Sequence, residues 1–103
     1  MNKNAAMNAT TFLPIASEFH SKGFSHRLVK RSGMVALFER NHVKIPGPTP
    51  HFEVVVLKNQ PAYTIHGADV PAKEAYPSSE QWGTYGFTFK HREHAEAKFI
   101  ALT

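Results

Sequence analysis

Tyr76-Pro77-Ser78-Ser79-Glu80-Gln81-Trp82-Gly83-Thr84-Tyr85-Gly86-Phe87-Thr88-Phe89, followed by a helical pattern over residues 91–102, decides the class of fold. Residues 76–83 read as a turn holding one short helical segment, opened by Ser78 or Ser79 and ended at Gly83. Residues 84–89 read as an aromatic strand whose alternation sets Tyr85, Phe87 and Phe89 on one side. In the helical stretch, Ala95, Phe99 and Leu102 recur at i, i+4 and i+7, an apolar face suited to lie on such a strand. A helix laid on a sheet is how a small α+β domain builds its core. Trp82, Phe87, Phe89 and Phe99 are predicted to share that core.

Upstream, His51-Phe52-Glu53-Val54-Val55-Val56-Leu57-Lys58 carries the strongest strand pattern, with three successive valines, and is predicted to be central. Residues 63–65 and 73–76 read as short strands around a turn at residues 66–69. Residues 24–31 and 34–40 flank Ser32-Gly33, which predicts a tight hairpin. A loop of Ser32-Gly33 sets Arg31 opposite Met34, Leu28 opposite Leu37 and His26 opposite Glu39. One face then carries Leu28, Val35 and Leu37, and the other Val29, Met34, Ala36 and Phe38. Neither face is polar, so the pattern does not select the core face. Residues 41–50 contain Pro46, Pro48 and Pro50 and read as an exposed connection.

Near the N-terminus, Phe12, Ile15, Ala16 and Phe19 recur at i, i+3, i+4 and i+7, and Gly23 follows where a helix C-terminus favours positive φ. A short helix over residues 12–22 is therefore predicted, with Pro14 in its first turn. The expected architecture is α+β: a short N-terminal helix, a small antiparallel meander of four to five strands, and a C-terminal helix. Residues 1–10 are expected to be a flexible tail and residues 11–103 a single domain.

The absence of cysteine excludes disulfides, thiolate zinc sites and cysteine nucleophiles. Residues 1–10 hold no apolar run of the kind a signal peptide needs, and no window approaches the ~20 apolar residues of a membrane span. These features predict a cytoplasmic protein with no membrane contact. The net charge of +4 is unevenly spread: residues 1–44 carry +5 and residues 45–103 carry −1. Arg27, Lys30, Arg31, Arg40 and Lys44 are the candidate basic surface for a partner. By the register above, Arg27 and Arg31 lie on the opposite hairpin face from Lys30.

The seven histidines are the first place to look for chemistry. His91 and His94, at i and i+3 on the predicted helix, lack a third ligand and the i, i+4 spacing of a helix-borne zinc pair. His26 facing Glu39 reads as a cross-strand pair. Ser78 and Ser79 lack a nucleophile elbow and suffice as turn caps. The glycines form no phosphate-cradling loop. The stripe Tyr85, Phe87 and Phe89 has the look of a base-stacking platform but is better used as core under a helix. No catalytic residue, cofactor or metal site is predicted.

Val35-Ala36-Leu37-Phe38-Glu39-Arg40, His51-Phe52-Glu53-Val54-Val55 and the stretch from Tyr76 to Phe89 together resemble small accessory proteins carried by phages and mobile elements of bacteria. The resemblance spans residues 34–99. It implies an encounter with host machinery, such as inhibition of a host defence by an anti-CRISPR-like protein, and carries no catalytic residues. The expected function is thus a non-enzymatic, protein-binding accessory role with a host or self protein as partner. Binding of nucleic acid by the basic half is the alternative, followed by an enzyme with an unrecognised site.

Overall fold

The computed structural model describes residues 11–45 and 49–103. The tail expected over residues 1–10 and the prolines of residues 46–48 lie outside the described residues. Centrally placed strands β3 (Val35–His42) and β4 (His51–Val56) set the plan. Val35, Ala36, Leu37 and Phe38 are all buried, although successive side chains of a strand point to opposite faces. The sheet is therefore covered on both sides. This is why neither hairpin face is polar.

Around that pair runs an antiparallel five-stranded sheet in the order β1-β2-β3-β4-β9, with β1 at Glu18–Ser21, β2 at Phe24–Ser32 and β9 at Gly86–Phe89. Helix α1 (Arg92–Leu102) covers one face. Its Ala95 and Phe99 join Val35, Leu37, Phe52 and Val54, with Val29, Val56, Phe89 and Leu102 packed at the margin. On the other face Ala36, Phe38, Val55 and Leu57 lie beneath Ile15, Phe19, Leu28, Met34, Tyr76 and Trp82. That second cover has no helix beyond the single 3-10 turn at Ser79–Gln81.

Trp82 thus does not share a core with Phe89 and Phe99; it lies across the sheet from them. Its ring sits directly over Gly86, where an added Cβ would fall 2.4 Å from ring carbons, so only glycine lets the indole lie flat on the strand. Phe87 and Phe89 belong to β9, while Tyr85 precedes it with 47% of its surface exposed.

The N-terminal helix is replaced by extended chain. Leu13 bridges Lys73, and residues 18–21 form β1, which pairs with β2 through a turn at Lys22-Gly23. Ile15 and Phe19, the two residues of this stretch that pack, partly buried, on the second cluster, are four apart, a spacing that both a helix and an extended chain place on one side. Gly23 does take positive φ, but as part of a hairpin turn in which Lys22 is positive too.

The β2–β3 hairpin also differs from its expected register. Its loop is Gly33-Met34, with Ser32 opposite Val35, and Gly33 supplies φ of +59° at the first central position. A bulge at Val29 then shifts the ladder again, so Leu28 faces Phe38, Lys30 faces Leu37, Arg27 faces Glu39 and His26 faces Arg40. Leu28 and Val29 consequently exchange the faces predicted for them. β3 also runs two residues into the expected connection, to His42.

Between β4 and the 3-10 turn the chain makes an arm. β5 (Lys58–Gln60) pairs with β8 (Lys73–Ala75), and β6 (Tyr63–Ile65) pairs with β7 (Ala68–Val70) about His66-Gly67. The turn predicted over residues 66–69 is thus narrower, and Ala68 and Asp69 are strand. Arg31 fixes the arm's base by gripping Glu74 with two hydrogen bonds, 2.6 Å from Nη1 and 2.5 Å from Nη2. Glu74 Oε1 also accepts from the Ile15 amide at 3.1 Å.

Candidate functional site

Four of the five candidate cations divide between the two sheet faces, and each of the four meets a carboxylate. Arg27 pairs with Glu39, and Lys30 with Glu96 of α1, its ammonium also lying 5.7 Å from the centre of the Phe99 ring. Arg31 and Arg40 point to the other side, toward Glu74 and Glu53. The bulge at Val29 is the reason that Arg27 and Lys30, three apart, share a face, in place of Arg27 and Arg31. Lys44 lies exposed beyond the end of β3. Arg31 and Glu74 reinforce each other's charge: the hydrogen bonds between them hold the Glu74 carboxyl below its usual range and push the Arg31 guanidinium up.

The densest polar cluster lies on the face away from α1, centred on Glu53. Strand alternation brings Glu53 to this face between Val55 and the start of β4, where it is only 4% exposed. Its Oε1 accepts from the Tyr76 hydroxyl at 2.7 Å and lies 3.3 Å from His26 Nε2; its Oε2 accepts from Arg40 Nη1 at 3.1 Å. Burial by itself would raise the Glu53 carboxyl. The proton-bearing groups of His26 and Tyr76 and the charge of Arg40 together outweigh it and leave the group below its ordinary range. Tyr76, buried beside that negative charge, is pushed up and stays protonated.

Aromatic rings clamp the cluster. Phe19 stacks on His26 with centroids 4.6 Å apart, and the Arg40 guanidinium lies 4.2 Å from the centre of the Phe24 ring. Tyr76 meets Phe19, His26 and Phe38 edge-on. His26 Nδ1 and Arg40 Nε are buried without hydrogen-bond partners. A cleft of about 340 Å³ opens over this floor, bordered by Lys22, Phe24, Tyr76, Ser78 and Trp82.

Sequence reasoning missed Glu53 as a site residue and paired His26 with Glu39. A signal was present: Glu53 is a lone carboxylate inside an apolar strand, a place where an acid stays charged only with partners. Which partners reach it depends on the bulge and on the return of residues 76–82 over the sheet.

Elsewhere, the rings of His91 and His94 stand 5.4 Å apart, edge to face. Among the described residues no three His, Asp or Glu side chains gather as a metal site. No helix among them is long and apolar enough to cross a membrane.

The arm presents a second feature. Its strands β6 and β7 set Tyr63 opposite Val70 and Ile65 opposite Ala68 on one side, with Thr64 and Asp69 hydrogen-bonded at 3.0 Å on the other. Tyr63 and Ile65 are 43% and 48% exposed, and neither joins a core cluster.

Comparison of the chain with family models, with curated proteins and with solved structures returns no match.

Proposed function

We propose that this chain is a non-enzymatic protein-binding module that meets its partner through the apolar side of the β6–β7 hairpin. The observation that carries the reading is that side itself: Tyr63, Ile65, Ala68 and Val70 line up on a two-stranded arm and pack on neither core. Two-stranded hairpins are marginal alone in water, and contiguous exposed apolar residues mark contact surfaces. Added to the resemblance to accessory proteins of phages and mobile elements, it favours a host protein in the cytoplasm, of the kind an anti-CRISPR-like inhibitor would engage.

The absence of catalysis is supported by how Glu53 is used. Three groups already face its two oxygens, which leaves it a poor base for a substrate proton. Nucleic acid is the weaker reading, because Arg27, Lys30, Arg31 and Arg40 spend charge on carboxylates and face two directions.

The test is a nuclease-treated pull-down from bacterial lysate with the wild-type chain and with Tyr63→Ser combined with Ile65→Ser. A protein retained by the wild type and lost by the variant, at unchanged melting temperature, is the expected result. Retention by both, or retention that nuclease abolishes, would overturn the reading.

A further inference from the structure

We propose that the cleft over Glu53 binds a small planar carboxylate, its anionic head held by Lys22 and Arg40 and its apolar body lying along Trp82. The site is separate from the hairpin surface and does not depend on it.

Stability alone does not explain the floor of this cleft. A buried ionic cluster is often matched or bettered by apolar residues of equal volume, yet Glu53 and His26 are buried, with Arg40 partly so, in a sheet otherwise filled with valine, leucine and phenylalanine. Two of its polar atoms, His26 Nδ1 and Arg40 Nε, have no partner among the protein's own atoms. The residues that carry them line an open cleft whose volume, about 340 Å³, falls within the range of small-molecule sites.

Charge identifies the head of the ligand. Glu53 is the one carboxylate lining the cleft, and its negative charge is taken up by Arg40, Tyr76 and His26. Lys22 on the rim has no carboxylate partner among the described residues, and Arg40 keeps 23% of its side chain exposed. The field that a ligand meets is therefore positive. Lys22 is held there by its turn, at φ of +53°, a left-handed conformation that lifts the residue out of the strand.

Shape identifies the body. The stacked pair Tyr76 and Trp82, their ring centres 6.2 Å apart and inclined by 28°, supplies a flat apolar wall. Such a wall favours a planar ring over a branched chain. The hydroxyl of Ser78 at the mouth adds hydrogen-bonding capacity for the carboxylate.

Trp82 is the sole tryptophan, so intrinsic fluorescence reports on this cleft. The full chain would be titrated with benzoate and, in parallel, with uncharged benzamide of the same shape. A saturable fluorescence change with benzoate, at a midpoint below about 1 mM and at least roughly tenfold tighter than benzamide, is expected. Lys22→Gln, an exposed substitution that leaves the core untouched, should weaken benzoate several-fold and leave benzamide unchanged. Amide shifts in nuclear magnetic resonance spectra should cluster at Ser78 and Thr88. No saturation by benzoate up to about 10 mM, equal binding of both probes, or shifts centred away from the cleft would overturn the proposal.

Discussion

Glu53 is held by three side chains from three separate parts of the chain, and its removal shows what a buried charge cluster is worth. In Glu53→Gln the carboxylate charge opposite Arg40 disappears while the shape remains. Breaking a buried pair costs about 3–5 kcal/mol, and Arg40, with 23% of its side chain exposed, can partly rehydrate. A loss of about 3 kcal/mol, read by urea unfolding at pH 7, is the expected outcome. The pH dependence follows from the sign of the shift. The folded carboxyl lies below its ordinary value of 4.5, so its contribution is complete above that pH and drains away as pH falls through the folded value. The gap between wild type and Glu53→Gln should therefore narrow in acid; a gap constant from pH 7 to pH 3 would refute the assignment. Only part of this cluster was legible in the sequence. The acid amid valines at 53–56 was visible, but its partners His26, Arg40 and Tyr76 stand 27, 13 and 23 positions away, and no local pattern links them.

The C-terminal helix is the element read most faithfully, because one amphipathic face and one strand below it are local signals. α1 begins at Arg92 and buries Ala95 and Phe99, two of the three residues its periodicity singled out. Phe99→Ala should cost about 3–5 kcal/mol, since it empties the centre of the cluster between α1 and β3–β4. Ile100→Ala, one residue on and 68% exposed, should change stability by less than about 0.5 kcal/mol. Equal melting temperatures for the two variants would show that α1 is not docked as described. The hairpin β2–β3 was harder to read for a definite reason. Both of its faces are covered, so shifting the ladder by one residue does not move polar side chains into a core, and hydrophobic pattern loses its power to fix register. The N-terminal segment failed for another reason: Ile15 and Phe19 satisfy helical and extended spacing alike, and the packing of Phe19 on Phe38 and Tyr76, together with the pairing of β1 with β2, goes with the extended form.

At the scale of the molecule, a sheet buried on both faces is joined to an arm whose outer hairpin, β6–β7, is buried on neither. α+β organisation was legible because it follows from element types in order. The cover of the second face was not, since it depends on contacts such as Ile15 to Glu74, 59 positions apart. This division predicts an uneven stability. Val54 and Val55 of β4 are fully buried, and β4 is hydrogen-bonded on both sides by β3 and β9, so its amides should exchange with solvent only when the whole domain unfolds. In β6–β7 each strand has a single neighbour, and every side chain in these two strands except Val70 is exposed. Its amides should open locally, without disturbing the sheet. For a domain of ordinary stability the difference in protection amounts to at least roughly 10³. Hydrogen exchange measured residue by residue would read it directly, and adding the partner captured through Tyr63 and Ile65 should raise protection in the hairpin while leaving β4 as it was. Equal protection of β4 and β6–β7 in the free chain would mean that the arm is packed into the core, and would remove the exposed face on which partner binding rests.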